Sequence, residues 1–217
     1  MSKHTIIKPD ESYSFSRYFE LSFDAADILA EFDCTLSRQK LNLPRHSESI
    51  DCHALQQQIE TDLLYVDLTS ETARREVLIA PVLLQLCRLT KTQLKIEYPI
   101  QVSNQLKGNL DYYLRSKQNL LVVEAKHADI SRGFTQMAIE LIALDRWTDL
   151  DTPLLYGAIT TGEIWKFGIF DRQAKQIWQD INLYQVPAGL AELLAILVGI
   201  LQSPIADQAQ PLFIANI

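Results

Sequence analysis

Two adjacent segments with different hydrophobic patterns constrain the fold of this chain most. Residues 106–115, LKGNLDYYLR, alternate between two sets of side chains, as expected for a β-strand. One face is predicted to carry Leu106, Leu110, Tyr112 and Leu114, and the other Lys107, Asn109, Asp111, Tyr113 and Arg115. Residues 120–126, LLVVEAK, form a nearly continuous apolar run, which is typical of a strand covered on both faces. The polar link at 116–119 is short enough for a hairpin, so the pattern predicts an antiparallel pair inside a covered sheet.

The register of this hairpin predicts where its charged residues meet. If residues 116–119 form a symmetric loop, Arg115 pairs with Leu120, and Asp111 then lies opposite Glu124. Directly opposed side chains have Cβ atoms about 5 Å apart, a separation at which like charges are destabilising. A cation between them would reverse the sign of this interaction, and Lys126 follows on the same face as Glu124. We therefore predict a small site in which two carboxylates and an ammonium group converge.

The remaining segments predict an α/β domain in which helices flank a central mixed sheet of about four or five strands. Strands are predicted at 94–102, 106–115, 120–126 and 154–160, and two further strands around residues 171–175, DRQAK, with core helices at 71–89 and 131–147 and a closing helix from 188. Ser70 is the expected N-cap of the helix at 71–89, and Pro81 is expected to kink it. In the helix at 131–147, Gln136 and Glu140 are predicted on the side away from the core.

The first 69 residues are predicted to form a mainly helical accessory segment packed on the main domain, which spans residues 70–217. Helices are expected at 14–33 and 51–66, with a short strand and a loop between them. The first helix is rich in aromatic residues, namely Tyr13, Phe15, Tyr18, Phe19 and Phe23. They predict an amphipathic helix on the core, with a partner surface or a base-stacking platform as the alternative.

Charge and hydropathy limit the possible partners. The net charge of -7 argues against a protein that coats nucleic acid, but it is compatible with a local basic groove. Several lysine and arginine residues fall in the middle third, among them Arg74, Arg75, Lys91, Lys95, Lys107, Arg115, Lys117, Lys126 and Arg132. The N-terminus lacks a signal-like apolar run, and the apolar segment 186–204 is interrupted by Glu192. We expect a cytoplasmic protein without a membrane segment.

From residue 70 onward the chain resembles the PD-(D/E)XK nuclease superfamily. It is most similar to the N-terminal nuclease domains of type I restriction motor subunits and to their small stand-alone relatives. The motifs are KGNLDYYL with Asp111, LLVVEAK with Glu124 and Lys126, Gln136 on the next helix, AITTGEIWKFGIF, and ETARREVLIAPVLLQL, which is like the family's first helix. The resemblance covers roughly residues 70–180 and leaves the first 65 unexplained.

This resemblance implies a restriction-endonuclease-like core of order αβββαβ and a metal-dependent hydrolysis of phosphodiester bonds, with DNA as the expected substrate. Asp111 and Glu124 would hold magnesium (Mg2+), or manganese (Mn2+) as a substitute, together with a first-helix glutamate. Glu71 is preferred for that role over Glu76 because of its spacing to Arg75. Lys126 would orient water or neutralise developing charge, and Gln136 would position water or the phosphate.

The chain departs from the family pattern at two positions. Leu110 stands where the motif has its proline, and Glu140 stands where a tyrosine is frequent, which argues against the single-strand exonuclease branch. A nuclease-fold module that binds protein or nucleic acid without cutting is the alternative function. A homodimer or a larger restriction or defence complex is a further expectation. Lys126→Ala is predicted to abolish cleavage with little effect on stability.

Overall fold

The computed structural model describes residues 5–117, 119–126 and 128–204. Its helices are α1 (Phe15–Glu20), α2 (Ala25–Ala30), α3 (His53–Asp62), α4 (Glu71–Arg74), a π-helical segment (Arg75–Ile79), α5 (Ala80–Thr90), α6 (Ile130–Trp147) and α7 (Leu190–Gln202). Its strands are β1 (Thr35–Gln39), β2 (Gln93–Gln101), β3 (Lys107–Arg115), β4 (Leu120–Ala125), β5 (Leu154–Thr160), β6 (Ile164–Asp171), β7 (Gln176–Asp180) and β8 (Tyr184–Gln185). The C-terminal tail from 205 lies outside the described residues.

The described strands form one mixed sheet of eight, in the order β1-β7-β6-β5-β4-β3-β2, with β8 paired to β6. Strand β4 is antiparallel to β3 and parallel to β5. The α/β class and the mixed, helix-flanked sheet are therefore confirmed, and the four predicted strands correspond to β2–β5. The two further strands expected around residues 171–175 are β6 and β7, and the sheet exceeds the predicted four or five strands because these two, together with β1 and β8, extend it beyond β5.

The predicted register of the β3–β4 hairpin is confirmed, because Arg115 pairs with Leu120 and the ladder continues to Tyr112 and Val123. The predicted faces of β3 are only partly correct. Tyr112 packs in one core, whereas Leu110 packs in the other. Glu97 on the neighbouring strand has a left-handed backbone (φ 50°), and the β2–β3 ladder lacks a pair at this step. This local distortion changes the face of the residues that precede Asp111.

Both faces of the sheet are covered, as the apolar run of β4 predicts. Leu121, Val123 and Ala125 belong to the core beneath α5 and α7, whereas Val122 belongs to the core beneath α6. Side chains of successive strand residues point to opposite faces, so β4 contributes to both cores. Glu124 shares the face of Val122 and is directed towards α6.

The helix predicted at 71–89 is present with Ser70 as its N-cap, since the Ser70 hydroxyl accepts the Ala73 N–H. Its irregular part is the π-helical segment, which ends immediately before α5. Pro81 follows in the first turn of α5 and has no N–H to donate to a preceding carbonyl. The irregularity expected from Pro81 thus takes the form of a wider helical turn.

The N-terminal residues contribute directly to the layers of the fold. Strand β1 pairs in parallel with β7, and α1 and α2 pack on α6. The long helix predicted at 14–33 is divided, because Leu21 is extended and α2 begins after Asp24. Of its aromatic residues, Tyr13, Phe15 and Tyr18 are buried, Phe19 is half-buried and Phe23 is exposed. Most of this aromatic set therefore serves packing.

Helix α6 approaches the sheet closely above two glycines on neighbouring strands. Gly157 on β5 pairs with Gly168 on β6. A Cβ atom at Gly157 would overlap the Met137 sulfur, and one at Gly168 would lie 2.8 Å from the Phe134 ring. The absence of side chains at these two positions allows Phe134 and Met137 to reach the sheet.

An ion-pair cluster joins the end of α6 to the β6–β7 turn. The Asp145 carboxylate accepts from Arg172 Nε at 2.7 Å and from Lys175 Nζ at 2.8 Å. Arg172 also donates to the carbonyls of Leu150 and Thr152. Burial raises the pKa of Asp145, but the ion pairs with Lys175 and Arg172 outweigh it and hold this pKa below its usual value.

Asp145→Asn is expected to lower the free energy of unfolding at neutral pH by about 1–2 kcal/mol, because it removes charge-assisted hydrogen bonds. A carboxyl group with a depressed folded pKa contributes stability above its unfolded pKa of about 3.9 and loses it as pH falls through the folded value. In urea denaturation, the difference in the free energy of unfolding between Asp145→Asn and the wild type should therefore become smaller as the pH falls below about 3.9. The control is Asp149→Asn, which removes an exposed pair with Arg115. A difference that does not change with pH would contradict this account.

Candidate active site

Glu124 is the central residue of the candidate site. It is the last but one residue of β4, and only 1% of its side chain is exposed. Its Oε1 atom accepts from Lys126 Nζ at 2.6 Å and from the amide of Gln136 on α6. Its Oε2 atom is buried and has no hydrogen-bond partner among the described residues. A buried carboxylate with one unsatisfied oxygen requires further compensation.

Asp111 lies on the neighbouring strand, one step beyond the last β3–β4 pair. Its Oδ2 atom accepts the Ala125 N–H at 2.9 Å, which joins the two strands where their regular pairing ends. Its Oδ1 atom lies 3.8 Å from Arg75 Nη1. Asp111 and Glu124 interact electrostatically, since the charge of Asp111 contributes to a raised pKa of Glu124. The structure thus brings the two predicted carboxylates together.

Lys126 is held more firmly than its position after a strand suggests. Its backbone N–H donates to the Thr160 carbonyl at 2.8 Å, and its ammonium group lies 5.2 Å from the centre of the Phe19 ring. A Cβ atom at Gly133 would lie 2.9 Å from Lys126 Cγ, so the stem packs closely on α6. The assumption that Lys126 makes few packing contacts is wrong, and truncation to alanine would also disturb α1 and α6.

Gln136 and Glu140 were predicted on the side of α6 away from the core, and this is incorrect. Gln136 is 4% exposed and Glu140 is fully buried. The Gln136 amide donates to Glu124 and also to Glu140 Oε1, at 2.9 Å in the second case. Helix α6 is buried around its circumference because the sheet covers one side and α1 and α2 cover another. Gln136 consequently bridges two carboxyl groups inside the fold.

The cluster contains more carboxyl groups than nearby ammonium groups. Burial, followed by the charge of Asp111, raises the pKa of Glu124, while Lys126 opposes this shift. Burial and the charge of Glu124 raise the pKa of Glu140 well above its ordinary value. Burial lowers the pKa of Lys126, but the charge of Glu124 outweighs this effect and the net direction is upward.

The raised pKa of Glu124 favours its neutral form, whereas the raised pKa of Lys126 depends on a charged Glu124. The two shifts therefore conflict. The 2.6 Å contact between them favours the ion pair, and a side-chain hydrogen bond between Glu140 and Glu124 lowers the pKa of Glu124 and raises the pKa of Glu140. We therefore assign the negative charge to Glu124 and the proton to Glu140.

The first-helix acid lies close to the cluster. Glu71 is half-buried, and its charge contributes to the raised pKa of Lys126. Glu76 is exposed, and its charge acts instead on Tyr112. Glu71 and Arg75 are four residues apart at the start of the helical region, so both lie on the side that faces Asp111 and Lys126. The role of Glu71 as a metal ligand stays a prediction.

Two residues of the cluster were not assigned to the site from the sequence. Arg75 donates to the Tyr112 hydroxyl at 3.3 Å and lies near both Asp111 and Glu97. Its spacing of four residues from Glu71 is a signal that would have placed it near the site. The same spacing relates Glu140 to Gln136, although sequence alone does not show that this side of α6 is buried.

No protein-family model and no curated protein matches this chain. Within the described ranges, no group of three or more histidine, cysteine, aspartate or glutamate residues is arranged to hold a metal ion. None of the described helices is long and apolar enough to span a membrane. The candidate site is therefore argued from its own geometry.

Proposed function

We propose that this chain is a metal-dependent nuclease with a restriction-endonuclease-like core that hydrolyses phosphodiester bonds, with DNA as its substrate. One observation carries the proposal: a buried Glu124 carboxylate is held by Lys126 and Gln136 beside Asp111, where the pairing of two adjacent strands ends. Oxygen ligands next to a cationic side chain are the groups that phosphoryl transfer requires.

Among the described residues the cluster offers a hard divalent cation two neighbouring carboxylates, and not a group of three acids. Glu124 Oε2 is buried and without a described hydrogen-bond partner, and Asp111 supplies a second carboxylate from the adjacent strand. Asp111, Glu124 and the main-chain carbonyl near Ala125 would hold magnesium or manganese, with Glu71 contributing from the first helix. When bound, the ion supplies activation of water and neutralisation of phosphate charge.

The protein's own groups have distinct roles in this proposal. The Lys126 ammonium group stabilises negative charge that develops on the phosphate and orients the attacking water. Gln136 fixes the orientation of Glu124 from α6, and the proton on Glu140 avoids a second buried negative charge beside it. Phe19 and Gly133 limit the movement of Lys126, so the ammonium group is held in place before substrate binds.

A nuclease-fold module that binds without cutting is the second candidate, and one contact favours it. Arg75 lies 3.8 Å from Asp111, so this carboxylate is already compensated by a cation of the protein. In that case the cluster is structural, and its charges balance one another without a metal ion.

A cleavage assay separates the two candidates. Purified protein is incubated with magnesium or manganese on supercoiled plasmid, linear duplex, single-stranded DNA and RNA. Metal-dependent cleavage of DNA supports the nuclease. Absence of cleavage together with absence of divalent-metal binding in calorimetry supports the binding module.

Asp111→Asn is expected to reduce magnesium-dependent cleavage by at least about a hundredfold, because it removes one ligand charge. The asparagine oxygen can still accept the Ala125 N–H, so the fold should be retained. Excess manganese should restore part of the activity. The control Asp27→Asn changes an exposed acid on α2 and should cleave as the wild type does. Full magnesium-dependent activity of the Asp111 variant would place the metal site elsewhere.

A further inference from the structure

A cavity of about 800 Å³ opens at the end of the sheet where β2 begins and β3 ends. Its charged lining residues are Lys91, Lys95, Arg115 and Lys117. Every charged side chain of this lining is a cation, although the whole chain carries a net charge of -7. We call this cavity the basic groove.

We infer that the basic groove binds the phosphate backbone of a nucleic acid. This inference deepens the proposed function and rests on it, because it assigns a surface that holds the substrate. Phosphate contacts from lysine and arginine are independent of base sequence, and they provide affinity and position.

The charges of the groove are available to a ligand. Within the described part of the chain, Lys91, Lys95 and Lys117 form no ion pair with a carboxylate, and all three are exposed. Arg115 pairs with Asp149 at 2.8 Å, but the Asp149 side chain is 86% exposed. Exposed ion pairs of this kind contribute little free energy, so a phosphate can replace Asp149 as the partner of Arg115.

Aromatic neighbours hold the ammonium group of one of these cations, Lys95, and Lys91 stands where the chain turns from α5 into β2. Lys91 adopts a left-handed conformation (φ 56°) as the C-cap of α5, where the chain turns into β2. Lys95 Nζ lies 4.3 Å from the centre of the Tyr98 ring, and Tyr98 stacks on Tyr113 at 5.2 Å. Cations that are held in place lose less conformational freedom when they bind a ligand.

The groove lies at a useful distance from the candidate active site. Arg115 and Asp111 are both on β3, four residues apart, which corresponds to about 13 Å along the strand. Phosphates follow one another at about 3.4 Å of axial rise in each strand of a duplex. A nucleic acid anchored in the groove would therefore have a phosphate near Asp111 about four base-pair steps away.

The test uses the double variant Lys91→Gln/Lys117→Gln, which removes two exposed charges from the groove. Its matched control is Lys8→Gln/Lys40→Gln, which removes two exposed charges outside it. Binding of a fluorescent 20-nucleotide single strand and of the same sequence as a duplex is measured by anisotropy in EDTA. The groove variant should bind about tenfold more weakly than the wild type. In a plot of log Kd against the logarithm of the salt concentration, its slope should be smaller by about two. The control should match the wild type within twofold.

Three results would overturn the inference: no binding by the wild type at low salt, equal binding by the groove variant, or equally effective displacement of the oligonucleotide by polyglutamate. The last result would indicate an acidic protein as the occupant. Because EDTA prevents metal-dependent cleavage, the binding measurement does not depend on the nuclease activity. If the protein cuts DNA, the groove variant should have a higher KM and an unchanged kcat. If the wild type binds the oligonucleotide but does not cut it, the proposed nuclease activity is wrong and the groove inference still holds.

Discussion

Lys126→Met should lower metal-dependent cleavage by at least about a hundredfold, equivalent to about 3 kcal/mol of transition-state stabilisation. Methionine keeps an apolar stem for Gly133 and Phe19 but removes the ammonium group that lies 2.6 Å from Glu124. Excess manganese should not restore activity, because the missing group is a fixed positive charge and not a metal ligand. Initial cleavage rates at saturating substrate measure this effect.

Stability must be measured in the same variant, because Glu124 loses its ion-pair partner while remaining buried. We expect a fall of about 3–5 kcal/mol in the free energy of unfolding, the usual effect of removing one partner of a buried ion pair. Lys40→Met makes the same substitution at an exposed position and serves as the control for both measurements. If folded Lys126→Met protein cuts DNA at the wild-type rate, the proposed site is wrong or the activity belongs to a contaminant.

Gly157→Ala should destabilise the protein by about 1–3 kcal/mol, because the added methyl group would enter the space of the Met137 sulfur beneath α6. Met137→Ala should itself lower the free energy of unfolding by about 2–5 kcal/mol by leaving a cavity. In the double variant the new methyl group partly fills that cavity. In urea denaturation, the loss in free energy of unfolding of the double variant should therefore be smaller than the sum of the two single losses by more than about 0.5 kcal/mol.

The control for this pair combines Gly157→Ala with Leu193→Ala. Leu193 lies in the core on the opposite face of the sheet, so these two effects should add within about 0.5 kcal/mol. Additivity of Gly157→Ala with Met137→Ala would contradict the close approach of α6 to β5. Because neither residue belongs to the candidate site, this test of the fold is independent of the proposed function.

Local patterns predicted the central elements well. The alternation of residues 106–115, the apolar run of 120–126 and the four-residue link between them led to the observed pairing of Arg115 with Leu120. This succeeded because side chains alternate with a period of two and a short loop leaves few possible registers. Ser70 also predicted the start of the helix before β2 correctly, because its hydroxyl accepts the backbone N–H of Ala73 in the first turn of that helix.

The errors arose where distant parts of the chain meet. The face of Leu110 depends on the left-handed conformation of Glu97 on the adjacent strand. The burial of Gln136 and Glu140 depends on α1 and α2, which come from the first 30 residues and cover α6. The nuclease activity and its metal stay predictions, and the experiments above decide them.

The sequence by itself predicted the order of the core helices and strands, the β3–β4 register and the convergence of Asp111, Glu124 and Lys126, while Gln136 became a candidate only through the family resemblance. These follow from interactions between residues close in the chain, for which periodicity and capping are sufficient. Only the tertiary structure decided the exposure of these side chains, the additions of Arg75 and Glu140, and the assembly of the basic groove from α5, β2 and β3. Burial and electrostatic environment depend on which elements pack together, and a single linear pattern does not contain that information.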